Sequence, residues 1–476
     1  MKALPLLSAP LLLAILTGCS IGSKYQAPDD SAAAAATFKH APASPVEADY
    51  IADQWWTAYG DPRLNGLVAT FVQRNQDLAA AAARMDQAIA RLGLSRADKW
   101  PQLDVEGNYT RDRRQRLFGQ NETQNTFDAR AVASYEVDLW GRVRGLVDSA
   151  KAEAQAETAS YDATRLALLA EVVRTYLTLR TVDAEIALLD RTVELREGGF
   201  ERIQSLHEAG DADGLALAQA RTELELTNAE AIGLRNLRGS LENALAVLVG
   251  VSPSGFRLDA ETAAILPPLP AVPVGLPLDA LRQRPDVFAA ERRLQAAHER
   301  IGVAQADYLP RIQLVGTAGY ASTQAEDFAE WSTRAWSIMP SVTLPIFNAG
   351  RIGANVDRAR AEAEAAQADY RQTVLVAIRE VEDALNANAV LARQMDAQQR
   401  AVAAAENASE ISHLRYDSGL VSYLEVVDTE RTHLDAQRQL TDLQRQRYAA
   451  QVELVRALGG GWGNASEHAR DYVAAN

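Results

Sequence analysis

Apolar and polar residues alternate over residues 127–139, with Val132 the one apolar residue among the polar positions. Phe127, Ala129, Ala131, Ala133, Tyr135, Val137 and Leu139 fall on one side, and Asp128, Arg130, Ser134, Glu136 and Asp138 on the other. A period of two marks a strand with one apolar and one polar face. At Gly141 the pattern changes. From there to about residue 208 the chain is rich in Ala, Leu, Glu and Arg and contains no proline, which predicts one long helix. At 1.5 Å per residue that helix is about 100 Å long. It needs lateral partners along its length, because propensity alone leaves a helix marginal. Leu166, Leu169, Val172, Val173, Tyr176, Leu177 and Leu179 supply a broad apolar face, and the alanines of 150–159 allow close helix approach. Gly198-Gly199 is a candidate bend.

The same joint recurs. Trp336, Ile338, Pro340, Val342 and Leu344 alternate with Ser337, Met339, Ser341 and Thr343, and Gly350-Arg351 opens a second long helical stretch. Gly141 and Gly350 are 209 positions apart, and so are Pro101 and Pro310, Asp77 and Asp286, Gly107 and Gly316, Glu171 and Glu380, Gly210 and Gly419, and Gly250 and Gly459. One constant offset in the punctuating Gly and Pro residues implies a duplicated unit of roughly 175 residues.

Each unit has the same inventory. In the first, Asp61-Pro62 is a helix start, and Leu64, Leu67, Val68, Phe71 and Val72 follow the spacing of a buried helix face. Helices are expected over 77–99 and 214–249, together nearly as long as the 141–208 helix, which suggests that they stack end to end beside it. The second unit offers 286–308, 350–415 and 421–458. The first strand of each hairpin also alternates, with Leu103, Val105, Gly107 and Tyr109 in one and Ile312, Leu314, Gly316, Ala318 and Tyr320 in the other. Polar connections are expected over 113–126 and 321–334. The fold class is therefore mainly α with a small β part: a first repeat over 61–250, a proline-rich segment over 251–284, a second repeat over 285–460 and a tail over 461–476.

The N-terminus adds an address. Lys2, an apolar run and then Leu16-Thr17-Gly18-Cys19 make a secretory signal over 1–18, and Cys19 sits as in a bacterial lipobox, where the thiol is lipidated. It is also the only cysteine, so structural disulfides are excluded. Residues 19–60, rich in Ala, Pro, Ser and Asp over 20–50, read as a lipidated tether without a core of its own. The net charge of −15 argues against a nucleic-acid partner. After the signal no apolar stretch reaches the ~20 residues of a transmembrane helix, so a membrane crossing has to use strands. Strands of about 10 residues with one apolar face suit an outer-membrane barrel; the alternative is a soluble hairpin lying on a helix, which the signal and lipobox disfavour. Four strands cannot close a barrel, and open edges cannot sit in lipid. At least two chains must then share one barrel, and three would give twelve strands.

Leu16–Cys19, Trp55-Trp56, Asp61-Pro62-Arg63-Leu64, the stretch 135–142, Arg284-Pro285-Asp286 through Pro310, Pro345-Ile346-Phe347 with Gly350-Arg351, and the stretch 416–428 together resemble the TolC family of outer membrane factors, in its lipoprotein branch serving resistance-nodulation-division pumps. The resemblance covers nearly all of the mature chain. It implies a homotrimer with a shared twelve-stranded outer-membrane barrel and a periplasmic barrel of helices. It implies partners as well: a periplasmic adaptor, an inner-membrane pump and outer-membrane lipid. No cofactor is implied beyond the lipid on Cys19. The tip residues Gly210, Asp211, Gly419 and Leu420 match the grooves that meet the adaptor. Tyr416, Glu425 and Asp428 match the closed periplasmic gate, where three-fold symmetry would turn each carboxylate into a cation-favouring ring. Glu425 and Asp428 share one helix face; without the resemblance they read as a solvated acidic face. Some relatives carry an arginine latch where this chain has Val421, so the gate is expected to lean on Tyr416.

The function so implied is passive export of small molecules, drugs or metals, from an inner-membrane pump. Alternatives are a type I secretion exit channel and a non-channel structural envelope lipoprotein. An anchored enzyme is disfavoured: the six histidines form no HExxH pair, no P-loop or CxxC motif is present, and the G-x-S-x-G spacing occurs only at 18–22, across the lipobox.

Overall fold

A computed structural model describes residues 22–28, 38–41, 54–114, 122–260, 266–270, 281 and 284–460. Cys19, the signal and the tail 461–476 lie outside the described residues, as do parts of the tether and of the inter-repeat segment. The first repeat comprises α1 (Pro62–Arg74), α2 (Gln76–Ala97), β1 (Gln102–Arg114), β2 (Glu122–Glu136), α3 (Arg142–Ala209) and α4 (Gly214–Leu248). The second comprises α5 (Pro285–Ala306), β3 (Arg311–Ser322), β4 (Arg334–Thr343), α6 (Arg351–Asp417) and α7 (Tyr423–Ala457). The two long helices are 68 and 67 residues, each about 100 Å at the usual rise. Helix α3 runs unbroken through Gly198-Gly199. A Cβ at either glycine would meet no neighbour, so the pair costs propensity but makes room for nothing, and the hydrogen-bond ladder and the flanking α4 carry the helix through.

The short helices do stack in pairs beside the long ones. Asn75, at the start of α2, caps that helix by accepting from Leu78 N–H and donates its amide to Leu248 O at 2.7 Å, at the end of α4. Arg284 and Ala457, each 209 residues further on, form the same link at 3.0 Å between the start of α5 and the end of α7. Gly250 (φ 76°) lets the chain leave α4 against the junction of α1 and α2, because a Cβ there would lie 2.1 Å from Arg74 O. Two layers of four helices result, with α2, α3, α5 and α6 side by side near the sheet and α4, α3, α7 and α6 below. The main core lies where the layers meet. Tyr59, Leu64, Phe71, Val172, Tyr176, Leu245, Val381 and Val452 pack there. Small residues set the α3–α5 spacing: Ala152, Ala154, Ala156 and Ala159 are buried, and Ser149 donates to Ala296 O at 3.0 Å.

The N-terminal stretch is more than a tether. Phe38, Trp55, Trp56 and Tyr59 enter the main core, Ser23 Oγ meets His298 Nε2 at 3.1 Å, and the Lys39 and His40 amides donate to Glu382. Low complexity concealed this, since a few aromatics suffice to dock an extended chain. The inter-repeat segment lies across α4 and α7: Arg238 donates to Leu258 O at 2.6 Å, and Tyr448 and Gln451 donate to Pro267 O and Pro270 O.

The strands form one antiparallel sheet, ordered β1-β2-β3-β4. Pairing continues to Arg114↔Glu122, so the described part of the polar connection expected over 113–126 is mostly strand. Polarity on both faces ends the membrane pattern there but leaves the backbone ladder intact. Strand β2 in turn stops at Glu136 rather than 139, where Arg142 grips Glu136 through two bonds of 2.8 and 2.6 Å and Arg144 grips Asp138 at 3.2 Å. Gly141 (φ 83°) and Gly350 (φ 84°) make the two strand-to-helix elbows. The second elbow lacks the carboxylates and leaves Ile346 and Phe347 86% and 89% exposed. Among the described residues, β1 and β4 have no strand on their outer edges.

Candidate functional site at the helical tips

Both long hairpins reverse through the same glycine turn. After α3, Gly210 adopts φ 88° and donates to His207 O, while Asp211 N–H reaches Leu206 O at 2.8 Å. After α6, Gly419 adopts φ 70° and donates to Tyr416 O at 2.9 Å, while Leu420 N–H reaches Arg415 O at 2.9 Å. A left-handed residue followed by a bond reaching back across the last turn is how a helix end satisfies its free carbonyls. Asp213 then caps α4 by accepting from Ala216 N–H at 2.7 Å. Asp211 and Leu420 project from these turns, exposed.

Between the tips lies a small apolar cluster. Ile203, Ala216 and Ala220 of the first hairpin are buried against Phe200, Leu206 and Leu217, and Tyr416 and Tyr423 of the second pack onto them. The two tyrosine rings meet edge to face, 5.5 Å between centroids. Burial, with the negative charge of Glu430 nearby, pushes the Tyr423 hydroxyl up to about 12. Burial also raises Tyr416, with Arg202 opposing and Asp417 and Asp213 adding. Both stay neutral and act through ring packing.

Charges bind the two hairpins to each other. Arg202 of α3 meets Asp417 of α6 at 2.8 Å. Higher up, Glu223 of α4, only 4% exposed in its side chain, receives Arg196 of α3 at 3.3 Å and Arg431 of α7. Arg196 also donates to Glu223 O and Thr227 Oγ. Arg438 of α7 spans Glu185 at 2.9 Å and Glu230 at 3.0 Å. The contact between the first hairpin and α7 is thus apolar at the tip, and above it ion pairs alternate with a second apolar patch where Leu434 packs on Leu189 and Ala231.

The expected gate residues fall in one region but in different environments. Tyr416 is half-buried in the apolar cluster. Glu425 is paired with Arg415 across its own turn at 2.7 Å, with both side chains more than 40% exposed. Asp428 is exposed and, among the described residues, has no ion pair. Val421 is half-buried and leaves the tip with other cations: Arg415 and Arg202 hold its carboxylates. Sequence reading passed over Arg202, Arg415, Glu223 and Arg431. Arg415 and Glu425 flank the turn closely enough to be paired by inspection, whereas Arg202–Asp417 and Glu223–Arg431 are more than 200 residues apart and no local pattern links them. No group of three or more His, Cys, Asp or Glu placed to hold a metal occurs among the described residues.

A sheet apolar on one face and open at both edges, joined by tight elbows to helical hairpins about 100 Å long, is the architecture of an envelope-spanning channel subunit. Comparison narrows the class. The profile of the outer membrane efflux protein family matches residues 67–251 and again residues 276–460. The antibiotic efflux pump outer membrane protein ArpC of Pseudomonas putida is 32% identical over 470 residues, covering 96% of each chain. The outer membrane protein OprJ of Pseudomonas aeruginosa is 32% identical over 461 residues, covering 96% of this chain and 95% of that one. The solved structure of the outer-membrane channel OprN superposes with a TM-score of 0.88 at 29% identity, over 93% of this chain and all of that one. The chain belongs to the outer membrane efflux protein family, its two matched stretches being the two repeats. It resides in the outer membrane, with the long hairpins in the periplasm.

Proposed function

We propose that this chain is the exit duct of a tripartite efflux system. Three copies would close one twelve-stranded barrel, receive small molecules from an inner-membrane pump of the resistance-nodulation-division class through a periplasmic adaptor, and export them passively, without enzymatic activity. The observation that carries this reading is the open sheet. Its outer edges on β1 and β4 carry unpaired backbone groups, which lipid does not tolerate. The apolar side of the same sheet presents Leu103, Val105, Trp336, Ile338 and Val342, all more than 65% exposed in the single chain. Pairing β4 of one copy with β1 of the next satisfies the edges, and three copies supply twelve strands. Acyl chains on Cys19 would add a second hold on the membrane.

Tyr416, Glu425 and Asp428 are assigned here to a periplasmic gate, and Gly210, Asp211, Gly419 and Leu420 to the adaptor-facing tips. Support for the gate comes from the joint placement of the three residues on the second hairpin and from the tyrosine pair that seats this hairpin against the first. The relatives named for antibiotic and toluene efflux favour apolar organic substrates. The purified protein is expected to be a trimer in detergent and to form channels in planar bilayers. A monodisperse monomer by light scattering would overturn the shared barrel.

A further inference from the structure

The outward side of the sheet carries an unused signal. The register places Leu103, Val105, Gly107 and Tyr109 of β1 on the same side as Phe127, Ala129, Ala131 and Ala133 of β2, and continues it through Ala318 and Tyr320 to Trp336 and Ile338. Extended toward the hairpin loops, that side carries three charges. They are Arg111 and Arg113, one and two steps beyond Tyr109, and Arg334, one step beyond Trp336. All three are exposed. No carboxylate shares this side in any of the four strands. The acidic residues Asp104, Glu106, Asp112, Asp128 and Glu136 all point to the other side, where Glu106 and Asp128 pair with Arg130. At the helix-facing end the outward positions Leu103, Tyr135, Ile312 and Val342 carry no charge. The charge on this side is therefore one-signed, carried by the loop-side end of β1 and by the first residue of β4.

Aromatic rings accompany it: the Tyr109–Phe127 pair lies one step short of Arg111, and Arg334, in register with Tyr320, Ala129 and Gly107, stands one step nearer the helices than that pair. Tyr109 and Phe127 stack at 5.0 Å, Phe127 meets Phe328 at 6.4 Å, and the Arg334 guanidinium sits 3.8 Å above the Trp331 ring. Aromatic girdles mark the membrane–water boundary of such sheets. At about 3.4 Å per residue, Arg111 and Arg113 stand about 7 and 14 Å beyond Tyr109 along the strand, at the depth of lipid headgroups. Asp112, between Arg111 and Arg113 in the chain, points to the other side, and Glu326, Asp327 and Glu330 lie in the connection between β3 and β4. Among the described residues none of them pairs with these arginines, which have no other ionic partner either.

We propose that Arg111, Arg113 and Arg334 form a docking site for the phosphorylated saccharide headgroup of an outer-leaflet glycolipid. Guanidinium groups recognise phosphate through paired charge-assisted hydrogen bonds, and a basic cluster at headgroup depth attracts anionic lipid. This rests on the proposed barrel, in which β1 of one copy adjoins β4 of the next, so one lipid at the seam would meet arginines of two chains.

The test is titration of the detergent-solubilised trimer with diphosphorylated lipid A and with its dephosphorylated form, read by native mass spectrometry. The wild type is expected to retain the diphosphorylated lipid preferentially. Affinity should fall about fivefold per arginine neutralised and about a hundredfold in the Arg111→Gln/Arg113→Gln/Arg334→Gln variant, and most of it should return when the three are Lys. Binding should weaken as salt is raised. Equal retention of both lipids by the wild type, or undiminished binding by the triple variant, overturns the proposal. Bilayer conductance is measured alongside: a conducting triple variant that has lost the lipid separates this site from the barrel itself. If that variant fails to assemble, the two-lipid comparison on the wild type decides alone.

Discussion

Glu223 gives the sharpest test of how the hairpins are held together. Its carboxylate is buried and serves two guanidinium groups, Arg196 and Arg431, from α3 and α7. Removing one member of a buried pair costs about 3–5 kcal/mol, because the survivor stays desolvated and unpaired. Two features bring the figure down here. Arg196 keeps its bonds to Glu223 O and Thr227 Oγ, and Arg431, with a side chain 51% exposed, can turn to water. For Glu223→Gln, which keeps the volume, the loss should be about 2 kcal/mol by the same reasoning. Arg431→Ala removes the exposed partner, leaves Glu223 paired with Arg196, and should cost about 0.5–1 kcal/mol. Amide hydrogen exchange on the reconstituted trimer reads the difference. Protection over the middle of α4 and α7 should fall about thirtyfold in Glu223→Gln, since 1.4 kcal/mol corresponds to tenfold, and only a few-fold in Arg431→Ala. Equal loss in the two variants, or a larger one in Arg431→Ala, would refute the idea that Glu223 is the buried hub of this seam.

Three further outcomes are expected. Glu425→Ala with Asp428→Ala should weaken cation selectivity and block by multivalent cations added from the periplasmic side, and Tyr416→Phe with a tip substitution should raise single-channel conductance; an unchanged double carboxylate variant would make those residues a solvated face. Burial works against the charge on Asp286 and Glu380, but hydrogen bonds and attraction from Arg284 and Arg456 outweigh it and lower both pKa values. Their contribution is thus complete above the ordinary carboxylate range, near pH 4, and is lost as pH falls through the lowered values. Arg284→Gln should flatten the decline in melting temperature between about pH 5 and 3, and an identical slope would refute the linkage. Cys19→Ser should abolish acylation, and intact mass showing no lipid on the wild-type N-terminus would remove the lipobox reading.

The parts of this fold legible in the sequence are those whose cause is local or periodic. Alternation placed the strands, and it failed only at their ends, where Arg111–Arg114 and Glu122–Asn125 pair without an apolar face to announce it. The long helices, their glycine turns and the end-to-end stacking followed from composition, length and the 209-residue offset. Chemistry between elements distant in the chain was not legible. The Phe38 and Trp55 docking, the Arg202 grip on Asp417 and the Glu223 hub depend on which elements become neighbours, and periodicity carries no such information. Resemblance located the tip, but it did not indicate that Val421 would be compensated by Arg202 and Arg415 within the same chain.

What the two repeats share and where they part company follow one division of labour. Positions kept at the constant offset are those the backbone requires: Gly141 and Gly350 at the elbows, Gly210 and Gly419 at the tips, Asn75 and Arg284 at the helix junctions. The charged contacts within and between the hairpins are not duplicated. Arg196 and Glu223 correspond to Ala405 and Thr432 in the second repeat, the buried pair Arg180 and Asp183 to Ala389 and Ala392, and Arg202 to Ile411. In the other direction, Arg431 and Arg438 of α7 correspond to Thr222 and Ala229 of α4. Glu223, Glu185 and Glu230 of the first hairpin therefore face Arg431 and Arg438, cations found only on the second, while Arg202 of the first faces Asp417 of the second. Two near-identical hairpins could exchange places in a closed ring, since their apolar faces and turns are alike. Unlike charge makes a first hairpin beside a second favourable, whereas a first beside a first would lose Arg431 and Arg438, leaving Glu223 with Arg196 alone and Glu185 and Glu230 without these partners. Duplication thus supplied the frame, and the loss of symmetry in a handful of charged side chains fixes the order in which the hairpins stand.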